Sequence, residues 1–213
     1  MNVLVIGANG KIGRLLVEKL AMEKGFFVRA MVRKAEQVSE LEKLGAKPII
    51  ADLKKDFHYA YDEIEAVIFT AGSGGHTPAS ETINIDQNGA IKAIETAKEK
   101  GVRRFIIVSS YGADNPENGP ESLIHYLKAK QAADEELKRS GLDYTIVRPV
   151  GLSDDPATGK IAEVSEKPTT TIPRADVADF ISEALSEKSS FYKTYTIESG
   201  DTPLNIFLIN KKR

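Results

Sequence analysis

Val3-Leu4-Val5-Ile6-Gly7-Ala8-Asn9-Gly10-Lys11-Ile12-Gly13, at the start of the chain, decides how everything after it is read. Four consecutive aliphatic residues make a buried strand, and apolar residues at Ile12, Leu15, Leu16 and Leu20 make the next stretch a helix. Between strand and helix, three glycines recur every third residue. Gly7 permits a tight turn, Gly10 lets backbone approach a bound group, and Gly13 lets the helix lie close to the strand. A helix N-terminus adds unpaired N–H groups and a favourable dipole, so the loop suits a pyrophosphate, with Asn9, Lys11 and Ile12 completing the cradle. A glycine-rich turn without a ligand is the plain alternative. The spacing is GxxGxxG rather than the commoner GxGxxG, and Lys11 lies inside it with no Gly-Lys-Ser/Thr to follow, which excludes a Walker loop.

Outward from this loop, short β-branched runs alternate with longer amphipathic ones. Residues 2–6, 27–32, 48–50, 66–70, 104–108 and 144–147 read as strands, largely apolar on both faces as central parallel strands are. Residues 11–24, 35–44, 82–100 and 122–140 read as helices, each followed by a stopping glycine at Gly25, Gly45, Gly101 or Gly141. Repeated strand–helix–strand units with right-handed crossovers predict an α/β fold, a Rossmann-type doubly wound parallel sheet with helices on both faces. At 213 residues, positions 1–213 are expected to form a single domain. The segment 151–173 holds three of the nine prolines and is expected to be loop with a short strand near 160–164, facing a substrate. A helix over 174–186 and a strand over 194–197 end the pattern.

Composition narrows the chemistry. With no cysteine there is no disulfide, no thiolate nucleophile and no cysteine-ligated metal. The formal charge of -2 gives no electrostatic reason to expect nucleic acid or an anionic membrane as a partner. His58, His76 and His125 are far apart in sequence, so no metal site is expected, although His76 in the loop after the fourth strand could touch a substrate. There is no long apolar run and no signal-peptide pattern, the basic end Lys211-Lys212-Arg213 reads as solvated, and the expected location is cytoplasmic. A monomer or homodimer is expected.

The second strand ends in Met31-Val32-Arg33-Lys34, where a protein preferring NAD would carry an acidic residue for the ribose hydroxyls. A guanidinium there can instead take the 2′-phosphate of NADP in a forked contact, so NADP is expected over NAD; a solvated turn is the alternative reading of Arg33 and Lys34. Arg14 adds a second positive charge or is simply at the surface. Asp52-Leu53 would flank an adenine, Asp52 accepting from its amino group or merely capping the turn.

Taken in order, these residues resemble the short-chain dehydrogenase/reductase superfamily, specifically its atypical, NmrA-like or epimerase/dehydratase-like branch. The likeness runs from residue 1 to about 185 and includes Val28-Arg29-Ala30-Met31-Val32-Arg33, Ala51-Asp52-Leu53, Thr70-Ala71-Gly72-Ser73-Gly74, Val108-Ser109-Ser110, Tyr126 with Lys130, and Thr145-Ile146-Val147-Arg148-Pro149. The resemblance implies that Ala71, Gly72 and Ser73 run past the nicotinamide ribose and that Pro149-Val150 faces the carboxamide. It also implies a catalytic set of Ser110, Tyr126 and Lys130. Tyr126 is the one tyrosine of the chain with a lysine four residues on, and that spacing puts both side chains on one helix face. The ammonium can then support a phenolate and reach the ribose, Tyr126 can pass a proton to or from a carbonyl or alcohol oxygen, and Ser110 can orient that oxygen. Ser109 is the lesser candidate because it points the other way if the strand continues. Many family members carry asparagine where this chain has Asp86.

The expected function is therefore an NADP-dependent oxidoreductase acting on a small carbonyl or alcohol substrate. An NAD(P)-dependent epimerase or dehydratase, or an NmrA-like redox sensor that binds NADP without turnover, are the alternatives.

Overall fold

The structure, a computed structural model, describes residues 1–73 and 77–210. Nine strands form one sheet in the order β11-β8-β10-β6-β5-β4-β1-β2-β3. The classical half is β3 (Lys47–Ile50), β2 (Phe27–Val32), β1 (Asn2–Ile6), β4 (Ala66–Phe69), β5 (Arg104–Val108) and β6 (Asp143–Pro149), all parallel. Beyond β6, β10 (Lys193–Ser199) is also parallel, while β8 (Lys160–Glu163) and β11 (Thr202–Pro203) complete that edge in antiparallel pairs. This is the doubly wound α/β sheet expected, in a single domain.

Alternation along each strand divides the core between two faces. Val3, Val5, Ile68, Ile106 and Val147 meet α1 (Lys11–Met22) and α6 (Arg174–Ser186) on one side. Leu4, Ile6, Val67, Phe105 and Ile107 meet α4 (Ala90–Glu99) and α5 (Ile124–Arg139) on the other. Strands buried on both faces carry side chains of period two into two separate layers, which is why β1 reads as an unbroken apolar run.

Several boundaries differ from expectation. Residues 35–44 divide into a 3₁₀ turn at Ala35–Gln37 and the short α2 (Val38–Lys43). The helix expected over 82–100 begins earlier, as α3 (Ala79–Thr82), widens to a π-helix at Ile83–Gly89 and becomes α4 only at Ala90. A π-turn inserts one residue per turn and rotates the following side chains, an adjustment that apolar spacing does not report. The 3₁₀ turn Glu121–Leu123 takes the first residues assigned to the 122–140 helix. The stopping glycines Gly25, Gly45, Gly101 and Gly141 all have positive φ, as helix-ending glycines do. Segment 151–173 does contain β8, and its two ends are joined by a small parallel pair, β7 (Leu152–Ser153) with β9 (Ile172–Pro173). The C-terminal α7 (Leu204–Asn210) extends the helix count beyond expectation.

One charged residue inside this frame is structural. Arg104 opens β5 and is 5% exposed. Its guanidinium donates to the carbonyls of Leu185 (3.0 Å), Asp143 (2.7 Å) and Ala184 (2.7 Å) and to the hydroxyls of Thr145 (2.8 Å) and Ser190 (3.0 Å). It thereby ties the end of α6 to β5 and β6. Burial pushes the group down to about 10, with Asp143 acting against that. Arg104→Leu strands several buried acceptors, each costly without a partner, so a loss of about 3 kcal/mol in urea-unfolding free energy is expected. An Arg104→Leu variant as stable as the parent would show that these bonds do not hold α6 to the sheet.

Candidate functional site

The site is built where β1 ends. Gly7 has φ of +85°, and a Cβ there would stand 2.5 Å from the backbone nitrogen of Ala71, at the end of β4. A Cβ on Gly13 would stand 2.3 Å from the Gly7 carbonyl oxygen, and one on Gly10 would stand 3.2 Å from it. The Gly10 N–H donates to the Gly7 carbonyl at 2.9 Å, closing the turn. The three glycines are therefore a steric requirement of strand, loop and helix packed in contact. Gly10, as N-cap of α1, supplies no side-chain acceptor, and the first turn holds no acidic residue. The leading N–H groups of the helix thus remain available to an anion. The loop fits a dinucleotide pyrophosphate. Asn9 is held in place by Arg14, whose Nη2 donates to Asn9 Oδ1 at 2.6 Å, a bond to a neutral amide that leaves the guanidinium its charge.

A cleft of two adjoining cavities, whose linings share Gly10, Thr70, Ala71 and Gly72, flanks this loop at the strands' C-terminal edge. One half, about 370 Å³, is lined by Gly7, Asn9, Gly10, Arg33, Gln37, Leu53, Ala71, Gly72 and Ser73. Arg33 stands where β2 ends, and Gln37 Oε1 accepts from the backbone N–H groups of Arg33 and Lys34, both at 3.1 Å. Glu81 borders the same space. Its hydrogen bonds from Lys54, at 2.7 and 2.8 Å, hold it below the usual carboxylate range, and Arg33 adds to that pull. Asp52 turns Oδ1 to the N–H of Lys54 at 2.9 Å, the turn-capping arrangement, while Leu53 forms the wall.

The other half, about 330 Å³, is lined by Lys11, Ile12, Ser109, Ser110, Tyr126, Lys130, Pro149 and Val150. The structure thus brings the expected serine, tyrosine and lysine to one space beside the loop. Lys130 is 3% exposed, and its Nζ lies 3.0 Å from Asp86 Oδ1, 3.2 Å from the Val108 carbonyl and 5.6 Å from the centre of the Tyr126 ring. Burial alone would lower this ammonium. The charges of Tyr126, Asp86 and Asp134 outweigh it and hold Lys130 above the ordinary lysine range.

Asp86 is the residue whose role the sequence left open. The π-helix that carries it turns its carboxylate fully inward, where Oδ2 accepts from the Ser73 N–H (2.9 Å) and hydroxyl (2.6 Å). One buried carboxylate therefore couples Lys130 to the loop after β4. A second network was not foreseen. Ser109 is buried and donates to Asp134 Oδ2 at 2.9 Å, and Arg148 donates to the same oxygen from Nε and Nη2 at 2.9 Å each. Burial pushes the Asp134 carboxyl up, against the pull of Arg148 and Ser109. Ser110 is half-buried, with its hydroxyl donating to the Tyr111 carbonyl at 3.2 Å. The two hydroxyls therefore take different partners, although β5 ends at Val108 and both serines border the same space. The arginine in Thr145-Ile146-Val147-Arg148-Pro149 was the signal for this network, a charged residue inside an otherwise apolar strand.

His125 is exposed, and His76 and Gly74 lie outside the described residues. Among the described residues no set of three or more histidine, aspartate or glutamate side chains could hold a metal ion, and no helix is long and apolar enough to cross a membrane.

A parallel sheet with a glycine cradle at its switch point and a polar cleft beside it defines a nucleotide-binding protein of the Rossmann class. Residues 7–188 match the family model described as NAD(P)H-binding, and the chain belongs to that family. It is 42% identical to the uncharacterized sugar epimerase YhfK of Bacillus subtilis, over 96% of this chain and 97% of that one. Among solved structures it is similar to a protein of Bacillus halodurans provisionally named an NAD-dependent epimerase/dehydratase, with 47% identity, 99% of each chain covered and a TM-score of 0.95. It is also similar to ChuY, an anaerobilin reductase of Escherichia coli O157:H7, with 26% identity, 94% of this chain and 98% of that one covered and a TM-score of 0.78.

Replacing Asp86 by asparagine leaves the Lys130 charge buried without its counter-charge, and a loss of about 3 kcal/mol is expected in urea unfolding at pH 7. Because folding raises the Lys130 value, the stability it contributes is complete below the ordinary 10.5 and is lost as pH rises through the folded value. The gap between wild type and Asp86→Asn should narrow at alkaline pH; a gap of constant size would show that charge is not what the pair contributes.

Proposed function

We propose that the protein is a cytoplasmic, NADP-dependent oxidoreductase of the atypical short-chain type, acting on a small carbonyl or alcohol substrate. The observation that carries this reading is the meeting of Tyr126, Lys130 and Ser110 with Pro149, Val150 and the first residues of α1 around one cleft. A bound nicotinamide supplies or accepts the hydride. The rest falls to this chain. In the reducing direction the Ser110 hydroxyl donates to the carbonyl oxygen and orients it. The Tyr126 hydroxyl gives that oxygen its proton as the carbon gains hydride, and the phenolate left behind is stabilised by the buried Lys130 ammonium until water returns the proton. Asp86 keeps Lys130 charged and in place.

The preference for NADP rests on Arg33 at the end of β2, bordering the cleft where a 2′-phosphate would lie. The size of the reactive half argues for a small substrate: about 330 Å³ lies at the low end for ligand sites and must also admit the nicotinamide. The names of the Bacillus relatives favour a second reading, an epimerase or dehydratase in which hydride leaves and returns within one turnover. The same residues serve it, and it differs in showing no net oxidation of NADPH.

Tyr126→Phe should reduce turnover by about a hundredfold or more, the usual share of a positioned proton donor, while NADPH affinity measured by fluorescence is unchanged. Full activity in that variant would exclude Tyr126 as the proton donor. Arg33→Ala should weaken NADPH by about tenfold more than NADH, as loss of a charge-assisted contact does, and equal losses for both cofactors would remove the 2′-phosphate assignment.

A further inference from the structure

Two cations stand in the wall of the reactive half of the cleft. Lys11 opens α1 and Arg174 opens α6, and both border the space that holds Ser110, Tyr126 and Lys130. Neither borders the half that carries Arg33. Each helix is the return leg between parallel strands, so both N-termini lie at the C-terminal edge of the sheet. Ties from α6 to α1, Lys19 to Asp179 at 3.0 Å and Ser182 to Glu23 at 3.0 Å, keep the two side by side in that parallel sense. The positive end of α1, whose first turn holds no acidic residue, adds to these two full charges, whereas α6 carries the buried Asp176 in its own first turn.

A single carboxylate answers both. Asp154 follows directly on β7, whose pairing with β9 sets it beside Arg174. Its Oδ2 lies 2.5 Å from Lys11 Nζ and its Oδ1 lies 2.6 Å from Arg174 Nη1. Lys11 foremost, with Arg174, holds this carboxyl below the usual range. The two cations thus already behave as a carboxylate receptor. Asp154 is 61% exposed and Arg174 only 22%. Pairs this exposed are held weakly against solvent, and Lys11 is 66% exposed as well, so Arg174 is the most screened member of the set.

We propose that Lys11 and Arg174 form a binding site for a carboxylate on the substrate, with the Asp154 side chain as its built-in stand-in, so that the protein acts on oxo or hydroxy acids whose acid group displaces Asp154. The inference rests on the oxidoreductase reading for the position of the reacting carbonyl. The site commits to a carboxylate because a carboxylate is the group it holds.

The test compares 4-carboxybenzaldehyde with methyl 4-formylbenzoate, the same aldehyde with the charge masked, in the full-length protein saturated with NADPH. Binding is read by ligand-observed NMR and turnover by NADPH oxidation. The acid should bind at least about tenfold more tightly than the ester, the ratio a charge-assisted contact of ordinary strength gives. Asp154→Asn should tighten the acid further and leave the ester unmoved, because it removes a competitor. Arg174→Gln should bring the acid down to the level of the ester while NADPH affinity is preserved. Equal binding of acid and ester in both wild type and Asp154→Asn, or no saturable binding of the acid in either, would overturn the proposal. So would loss of the preference in Arg174→Gln only in proportion to lost NADPH affinity, which would assign the pair to the cofactor. Acid binding that depends on Asp154 without any NADPH oxidation would uphold the carboxylate site and refute the oxidoreductase reading; oxidation without acid preference would do the reverse.

Discussion

The arrangement depends on one close approach, in which the turn after β1 lies against the end of β4 with no room for a side chain between them. A Cβ on Gly7 would fall within 2.5 Å of Ala71, and one on Gly13 within 2.3 Å of the Gly7 carbonyl. Because α1 can lie so near the sheet, its free N–H groups open onto the cleft instead of onto solvent. The same contact sets the loop of Ala71 to Ser73 opposite the helix start, so that both walls of the cleft are fixed by backbone. Side chains then need only be hung on that frame.

Charge is distributed over the frame in layers. Deepest lie Lys130 with Asp86 and Arg148 with Asp134, buried pairs that are costly to assemble and costlier to break singly. Each also grips a part of the cleft wall, Asp86 through Ser73 in the half that carries Arg33 and Asp134 through Ser109 in the reactive half. Their value lies in position, since a buried ion pair gains little net stability over an apolar replacement. Nearer solvent, Lys11 and Arg174 share the exposed carboxylate of Asp154. The buried pairs hold the geometry, and the exposed set stands between them and solvent.

Most of the frame could be read from residue order alone. Apolar runs located the six strands of the parallel half, and glycines at 25, 45, 101 and 141 marked where helices stop, because both signals are local. The grouping of Ser110, Tyr126 and Lys130 came from the resemblance to the short-chain dehydrogenase/reductase superfamily, with the i, i+4 spacing putting Tyr126 and Lys130 on one helix face. Three features were not legible. The π-helix at Ile83–Gly89 leaves apolar spacing almost unchanged, so the inward turn of Asp86 could not be seen. Asp134 on α5 looks like any solvated carboxylate until Arg148 on β6 is placed against it, a contact set by the packing of helix on sheet. At the far edge the strand near 160–164 was expected, but not its antiparallel pairing with β11, whose two residues are too few to leave a periodic trace.

The pairing of β7 with β9 has an evolutionary consequence. It closes a neck at residues 152–153 and 172–173, while Asp176 anchors Thr158 and Gly159, and Glu198 anchors Thr169 and Thr170, farther along the same excursion. Between these fastenings lie short exposed stretches at 155–157 and 165–167. Lengthening either adds little closure entropy, which grows only as the logarithm of loop length, and does not shift the neck. Descendants of this chain can thus gain or lose residues beyond a neck whose Leu152 borders the cleft while the sheet beneath stays unchanged, a route to new surface that leaves foldability intact.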